Sequence, residues 1–395
     1  MKTFLSSDAR RAGACRSALV RWPTTAVLLL VAASSGLAGG GAGAPIGVGS
    51  EPIALALSAD GSRLYVVNHD SFTVSVVDTV KRVVSATVHV GSSPRFVLLT
   101  PNGQRLFVVN NAATPTGGNS VTVISTEDNA VIATIPVGVA PYAGAITPDG
   151  RLFYITNFGG NSVTVIDVVA NTAAKTIKVG ARPRGIVITP NGQKAYVVNS
   201  KDQTVSVIST ASNTLVKTIP VGSFPTDLIV TRDGKHVYVA NTNDGTVSII
   251  HTGSDTVKAT LAVEGGPAAF VAASDNSRIY VANYGSNSVS VISTQTQQVL
   301  RNVDVGGGPV ALAISADGRR VYTANQHSNT VSVLLADDLS QRRQVPVGGT
   351  PFALAVAADG RRVYVANLFD SSVSVLPETL IAPDADLAAK PQEAR

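Results

Sequence analysis

Arg95, Tyr142, Arg184 and Asp227 each fall within two residues of a proline that recurs along this 395-residue chain. Together they suit an anionic or carbohydrate-like group: guanidiniums offer forked donors to a carboxylate, sulfate or phosphate, and the phenol adds a hydroxyl and a ring. The residues one step past the recurring prolines run Ile53, Arg95, Tyr142, Arg184, Thr226, Ala268, Val310 and Phe352, polar over one half and apolar over the other. Asp227 adds a carboxylate where most other units carry alanine, and Glu264 replaces the glycine of a recurring Val-Gly pair. Phe72, Phe158, Phe224, Tyr284 and Phe369 bring aromatic rings to neighbouring loops, which suits a protein or glycan partner. A rival chemistry uses Arg95 and Arg184 as charge stabilisers and Asp227 as a base or metal ligand in a hydrolase. The bland alternative for all of them is a solvated rim, since surface charges usually need no function.

The elements that must position these residues are repeats. The pattern Y/F-V/I/T-x-N occurs at Tyr65, Phe107, Tyr154, Tyr196, Tyr238, Tyr280, Tyr322 and Tyr364, with 42-residue spacing except for one gap of 47. A second marker, V-G-x-x-P or a close variant, places Pro52, Pro94, Pro141, Pro183, Pro225, Pro267, Pro309 and Pro351 in the same phase. Agreement of period and phase argues for one array of about 42-residue units from residue 45 to about 377, overriding the length prior for two or three domains.

Within the fourth unit the runs GIVIT, KAYVVN, TVSVIS and LVKTIPV are strand-length, separated by turn-forming PNG, SKDQ and STASN segments. Four antiparallel strands per unit make a propeller blade, and strands apolar on both faces are what a sheet sandwiched between two others needs. Small residues such as Ala54, Ala56, Gly144, Ala145, Ala311 and Ala313 suit a crowded innermost strand, while Pro136, Pro220 and Pro346 suit an outer edge that tolerates a missing N–H. The last unit stops at SVSVLPE without a fourth strand, and Ile46–Gly49 aligns with fourth-strand sequence at Ile135–Gly138. The reading is an all-β propeller of eight blades, with seven as the alternative, closed by an N-terminal strand that completes the C-terminal blade. The repeated asparagines, Asn68 to Asn367, are expected to bond nearby backbone and shape a turn.

With YVVN, YITN, YVAN and YTAN standing where that family has YVTN, the units resemble the YVTN family of β-propeller repeats. The resemblance implies kinship with surface-layer proteins and periplasmic propellers, and more distantly with lactonases and quinoprotein-associated propellers. Members commonly have seven blades, so the eight markers depart from the family pattern.

Residues 1–44 read as a signal peptide and small-residue leader: Lys2, Arg10, Arg11, Arg16 and Arg21 precede an apolar run from Ala26 to Ala38 that is too short to cross a bilayer. Residues 45–378 are the propeller, and 379–395 read as a disordered tail without periodicity. Five of the 31 basic and one of the 26 acidic residues lie in the leader, leaving 26 against 25. A near-neutral domain argues against nucleic acid as a partner. Cys15, Met1 and Trp22 all fall in the leader, so the repeats hold no thiolate metal site, no C-x-x-C-H haem motif and no tryptophan-docking pattern. His69, His89, His236, His251 and His327 lack a histidine partner at metal-binding spacing. The five extra residues within Asn110–Ser120 mark a loop that could carry binding. The expectation is an extracytoplasmic monomer, a rigid scaffold whose top face binds a protein, glycan or small anion. No catalytic residue, metal or cofactor is assigned; a lactonase-like hydrolase using the central mouth is the alternative.

Overall fold

The computed structural model describes residues 43–111, 118–336 and 340–381. The leader, most of the Asn110–Ser120 insertion and the C-terminal tail lie outside the described residues. Eight four-stranded antiparallel sheets follow one another around a ring. Blades are numbered one to eight from the N-terminus, and strands from the axis outward. The inner strands are Pro52–Leu57, Pro94–Leu99, Pro141–Ile146, Pro183–Ile188, Pro225–Val230, Pro267–Ala272, Pro309–Ile314 and Pro351–Val356. No helix among the described residues is long and apolar enough to cross a membrane.

Burial follows radial position. Second strands such as Arg63–Asn68 and third strands such as Thr73–Asp78 are almost entirely buried, because both faces pack on neighbouring blades. Inner strands are only half-buried after their leading proline, since their inner edge borders the axis. Outer strands such as Val83–His89 alternate between exposed and half-buried positions. Pro136, Pro220 and Pro346 end outer strands as expected, where a missing N–H breaks no further ladder.

The two sequence markers interlock. In every blade the Asn at the end of the second strand is fully buried, and its Nδ2 donates to two hydroxyls of the third strand. Asn68 bonds Thr73 and Ser75, both at 3.0 Å, and Asn367 bonds Ser372 at 3.0 Å and Ser374 at 2.9 Å. The partners are thus side-chain hydroxyls rather than the backbone groups that sequence reasoning expects, because the Asn lies within the ladder and its backbone is already paired. The glycine of the Val-Gly pair lies directly on this amide: a Cβ built on Gly138 would fall 2.5 Å from Asn157 Nδ2. In seven blades this position is a bare Cα, so the glycine and the Asn recur together.

In five blades a basic side chain two positions before the repeat aromatic also ties its blade to the next. Arg63 donates to the Thr126 carbonyl of blade two, and Arg105 to the Val168 carbonyl of blade three. Lys194 reaches Thr252 O at 2.8 Å and Asp255 at 2.7 Å, and Arg278 reaches the Ala336 carbonyl. Arg362 closes the circle on Thr79 O of blade one at 3.0 Å.

The N-terminal strand Ile46–Gly47 completes blade eight, pairing Ile46 with Val373 and Gly47 with Ser372, and Val48 N donates to Ser371 O at 2.9 Å. Ile46 is buried and Val48 partly so, against Leu64, Val66 and Tyr364. Burying them contributes about 2 to 5 kcal/mol, a large share of a typical net stability of about 5 to 15 kcal/mol.

Removing residues 45–50 is therefore expected to lower the melting temperature sharply, whereas removing 380–395 is expected to leave it nearly unchanged; equal shifts would contradict closure through the N-terminus. Gly138→Ala is expected to cost about 1 to 3 kcal/mol by overpacking. Gly47→Ala, with nothing within 4 Å of its added methyl, is the matched control in the same denaturant titration.

Candidate functional site

In each blade the loop between the second and third strands is tied to the loop that leads into the inner strand, which puts both on one face. His69 N donates to Glu51 O at 2.9 Å, Phe158 N to Ala140 O at 2.9 Å, and Leu368 N to Thr350 O at 3.0 Å. The residue before each loop proline takes a left-handed φ, between 50° and 71° from Glu51 through Ala140, Arg182 and Phe224 to Gly266. That kink holds the residues on either side of the proline at the mouth of the ring.

Arg95, Tyr142 and Arg184, contributed by blades two, three and four, come together there. The Arg95 guanidinium stacks on the Tyr142 ring 4.0 Å from its centroid. Arg184 lies 5.4 Å from Tyr142, 5.5 Å from Phe158 and 5.0 Å from Phe224. Tyr142 and Phe158 stack on each other at 5.9 Å, and Arg182 sits over Phe158 at 5.7 Å. Cation–π contacts of this kind contribute about 0.5 to 2 kcal/mol each. Burial lowers the pKa of Arg184; Tyr142 offsets this in part, and Arg95 and Arg182 add like-charge repulsion. No ion pair to any of the three arginines forms among the described residues, and Arg184 Nε is buried without an acceptor. Three cations share an aromatic cage with donors unspent.

Arg182 is the member that sequence reasoning missed, and its signal was the first arginine of Ala-Arg-Pro-Arg, ahead of the loop proline rather than behind it. Phe158 and Phe224 join the cage, while Phe72 and Phe369 stay exposed on the other half of the face, 41% and 68% accessible. Tyr284 does neither: its hydroxyl meets His327 Nε2 at 2.8 Å.

Asp227 stands apart from the cage. Its carboxylate packs against the inner strand of blade four, where a Cβ on Gly185 would lie 3.0 Å from Oδ1. Desolvation pushes it up to about 6, offset in part by the nearby Leu228 and Phe270 backbone N–H groups, which favour the charged form. Its side chain is reachable from the channel yet enclosed by three blades, so its solvation is poor despite its partial exposure. Glu264 is drawn away from the mouth altogether. It takes the glycine position of blade six and accepts the Ser288 hydroxyl, joining the network in which Asn283 donates to Ser288 at 3.0 Å.

Further grooves lie on the opposite face between the turns of adjacent blades. One is lined by Thr147, Asp149, Asn191 and Thr210, and another by Ser274, Asp275, Arg278 and Asp317. They arise at equivalent positions of different blade pairs and so follow from the repeat.

A family described as YNCE-like beta-propeller matches residues 25–362. Hydrazine synthase of Kuenenia stuttgartiensis is similar at 26% identity and a TM-score of 0.60, over 73% of this chain and 96% of that one. A protein of unknown function from Desulfotomaculum acetoxidans is similar at 22% identity and a TM-score of 0.53, over 65% and 86% of the respective chains. The dihydro-heme d1 dehydrogenase NirN is similar at 17% identity and a TM-score of 0.64, over 75% of this chain and 66% of that one. The last two likenesses concern the fold alone. No curated protein matches.

An uncompensated carboxylate has a pH signature. The Asp227 pKa is raised on folding, so the folded state binds more protons between about pH 4 and 6, and stability falls as pH rises through that window. Above it the ionised group costs up to about 3 kcal/mol. Asp227→Asn is expected to be more stable than the parent at pH 8 and to lose that advantage below pH 4, as read by urea denaturation at both values. A pH-independent difference would mean that the carboxylate is well solvated.

Proposed function

The chain belongs to the YNCE-like beta-propeller family, and from that premise we propose an exported, rigid scaffold that captures an anionic group at the mouth of its top face. Export is supported by the leader, with five basic residues ahead of a short apolar run. The anionic group is a carboxylate, sulfate or phosphate carried by a small molecule, a glycan or a protein partner. One observation carries the reading: Arg184 is enclosed by the Tyr142, Phe158 and Phe224 rings, beside two further arginines, with no carboxylate paired to any of them among the described residues. An anion would supply the acceptor that buried Arg184 Nε lacks and would relieve the mutual repulsion of the three cations. The aromatic walls fix the guanidinium planes before the ligand arrives, which lowers the ordering cost of binding.

A second reading, a lactonase-like hydrolase, is favoured by Asp227, whose pKa of about 6 lies in the range useful to a general acid or base. Its metal-dependent form finds little support, since no group of three or more metal-ligating side chains forms among the described residues. Lactone hydrolysis abolished by Asp227→Asn would establish the enzyme reading.

The binding reading is tested with citrate, inorganic phosphate and a heparin fragment as probes in titration calorimetry. Replacing both Arg95 and Arg184 by Ala is expected to weaken binding of the preferred probe at least tenfold, since each charge-assisted contact is worth about 1.5 to 3 kcal/mol. Val310→Ala, on the apolar half, is expected to change it little, with circular dichroism confirming the fold of both variants. Unchanged affinity in the double variant would return the arginines to an ordinary solvated rim.

A further inference from the structure

The eight inner strands carry only three charged residues, Arg95, Arg184 and Asp227, and all three lie on blades two, four and five. Everywhere else the axial wall is Ala, Leu, Ile, Val, Phe and other uncharged residues. Arg184 and Asp227 belong to neighbouring blades and to nearly the same depth. The Asp227 carboxylate packs on Gly185, the residue that follows Arg184. Even so, the two do not form an ion pair. The guanidinium is turned into the aromatic cage, and the carboxylate lies near the Leu228 and Phe270 backbone N–H groups, which favour its charged form. Two opposite charges thus stand on neighbouring blades of one mouth, each without a charged partner.

Their supports are tied down. Thr156 donates to Arg184 O at 2.7 Å, which fixes the start of the blade-four strand. Thr226, next to Asp227, donates to the Thr242 hydroxyl at 2.6 Å, and Thr242 donates onward to Pro267 O at 2.8 Å, so the start of the blade-five strand is joined to that of blade six. An ionised carboxylate has about four lone-pair sites, and the two neighbouring backbone N–H groups leave room for a donor from the channel.

We propose that the mouth takes a zwitterion, with its anionic end on Arg95, Arg182 and Arg184 and an ammonium on Asp227, the class being amino acids, ω-amino acids or short peptides. The inference rests on the anion reading given above and narrows it. A simple anion would satisfy the arginines but approach an ionised Asp227 of like charge. A simple amine would meet three guanidiniums. A ligand carrying both charges offsets both, and relieves the desolvation of Asp227 by giving it a cation.

The test compares ligands that differ in one charge. Alanine, 4-aminobutyrate and alanyl-alanine are titrated by calorimetry at pH 7.5 beside N-acetylalanine, which keeps only the anion, and propylamine, which keeps only the cation. The expected result is that at least one zwitterion binds tenfold or more tighter than both single-charge analogues; which of the three wins identifies the spacing and separates free amino acids from peptides. Asp227→Asn is expected to bring that zwitterion down to the level of N-acetylalanine, while Arg184→Gln weakens both. Lowering the pH from 7.5 to 5 should erode the preference in the parent as Asp227 takes a proton. Equal affinity for the winning zwitterion and N-acetylalanine would overturn the zwitterion assignment and leave the anion site standing. Binding of none of these anions, nor of citrate, phosphate or heparin, would remove the anion site itself and the inference with it.

Discussion

The contact on which the rest of the structure depends is the approach of a bare glycine Cα to a buried asparagine amide, repeated with one substitution around the ring. The amide joins the second and third strands through two hydroxyls, and the glycine brings the incoming loop down on top of it. With the loop pinned, the left-handed residue and the proline that follow can go only one way, over the mouth. Residues adjacent to that proline are free to vary because the frame does not use their side chains. Blade six shows the tolerance of the device: with Glu264 in place of glycine, the carboxylate enters the hydroxyl network instead of breaking it.

A frame this regular makes deviation informative. Inner-strand positions that carry no charge in the other blades hold Arg95, Arg184 and Asp227 in three, and the rings of Tyr142, Phe158 and Phe224 cluster with the same sector. A desolvated Arg184 without a carboxylate and a desolvated Asp227 without a cation both cost folding free energy, and neither contributes to the lock between glycine and asparagine. Such costs are tolerated at sites that act on something outside the chain.

Much of this was legible in the residues. The spacing of Tyr65 to Tyr364 gave the blade count, and the match of Ile46–Gly49 to outer-strand sequence located the closing strand, because both follow from periodicity, the strongest signal a repeat carries. The meeting of Arg95, Tyr142 and Arg184 was readable as an arc, since equivalent positions of successive blades must be neighbours. What the sequence hid was direction. Nothing in Asp227 says that it lies near Phe270 N rather than pairing with Arg184, and nothing in Glu264 says that it bonds Ser288. The inter-blade grip of Arg63, Arg105, Lys194, Arg278 and Arg362 was visible as an Arg or Lys two places before the repeat aromatic in most units, but its carbonyl acceptor lies some 60 residues ahead in most cases, beyond any local pattern.

The two-residue strand that closes blade eight also decides how the ring bears mechanical load. It runs antiparallel to Ser372–Pro377, with Ile46 opposite Val373, so the chain comes in to Ile46 from the same direction in which it leaves after Pro377, away from the mouth. Tension applied between those two points does not shear the ladder with all of its rungs resisting together. It peels the pair from one end, breaking the Ile46–Val373 rung first, with only the Gly47–Ser372 rung and the Val48 bond behind it. A molecule anchored by one terminus and pulled by the other would part at this seam while seven blades kept their strands.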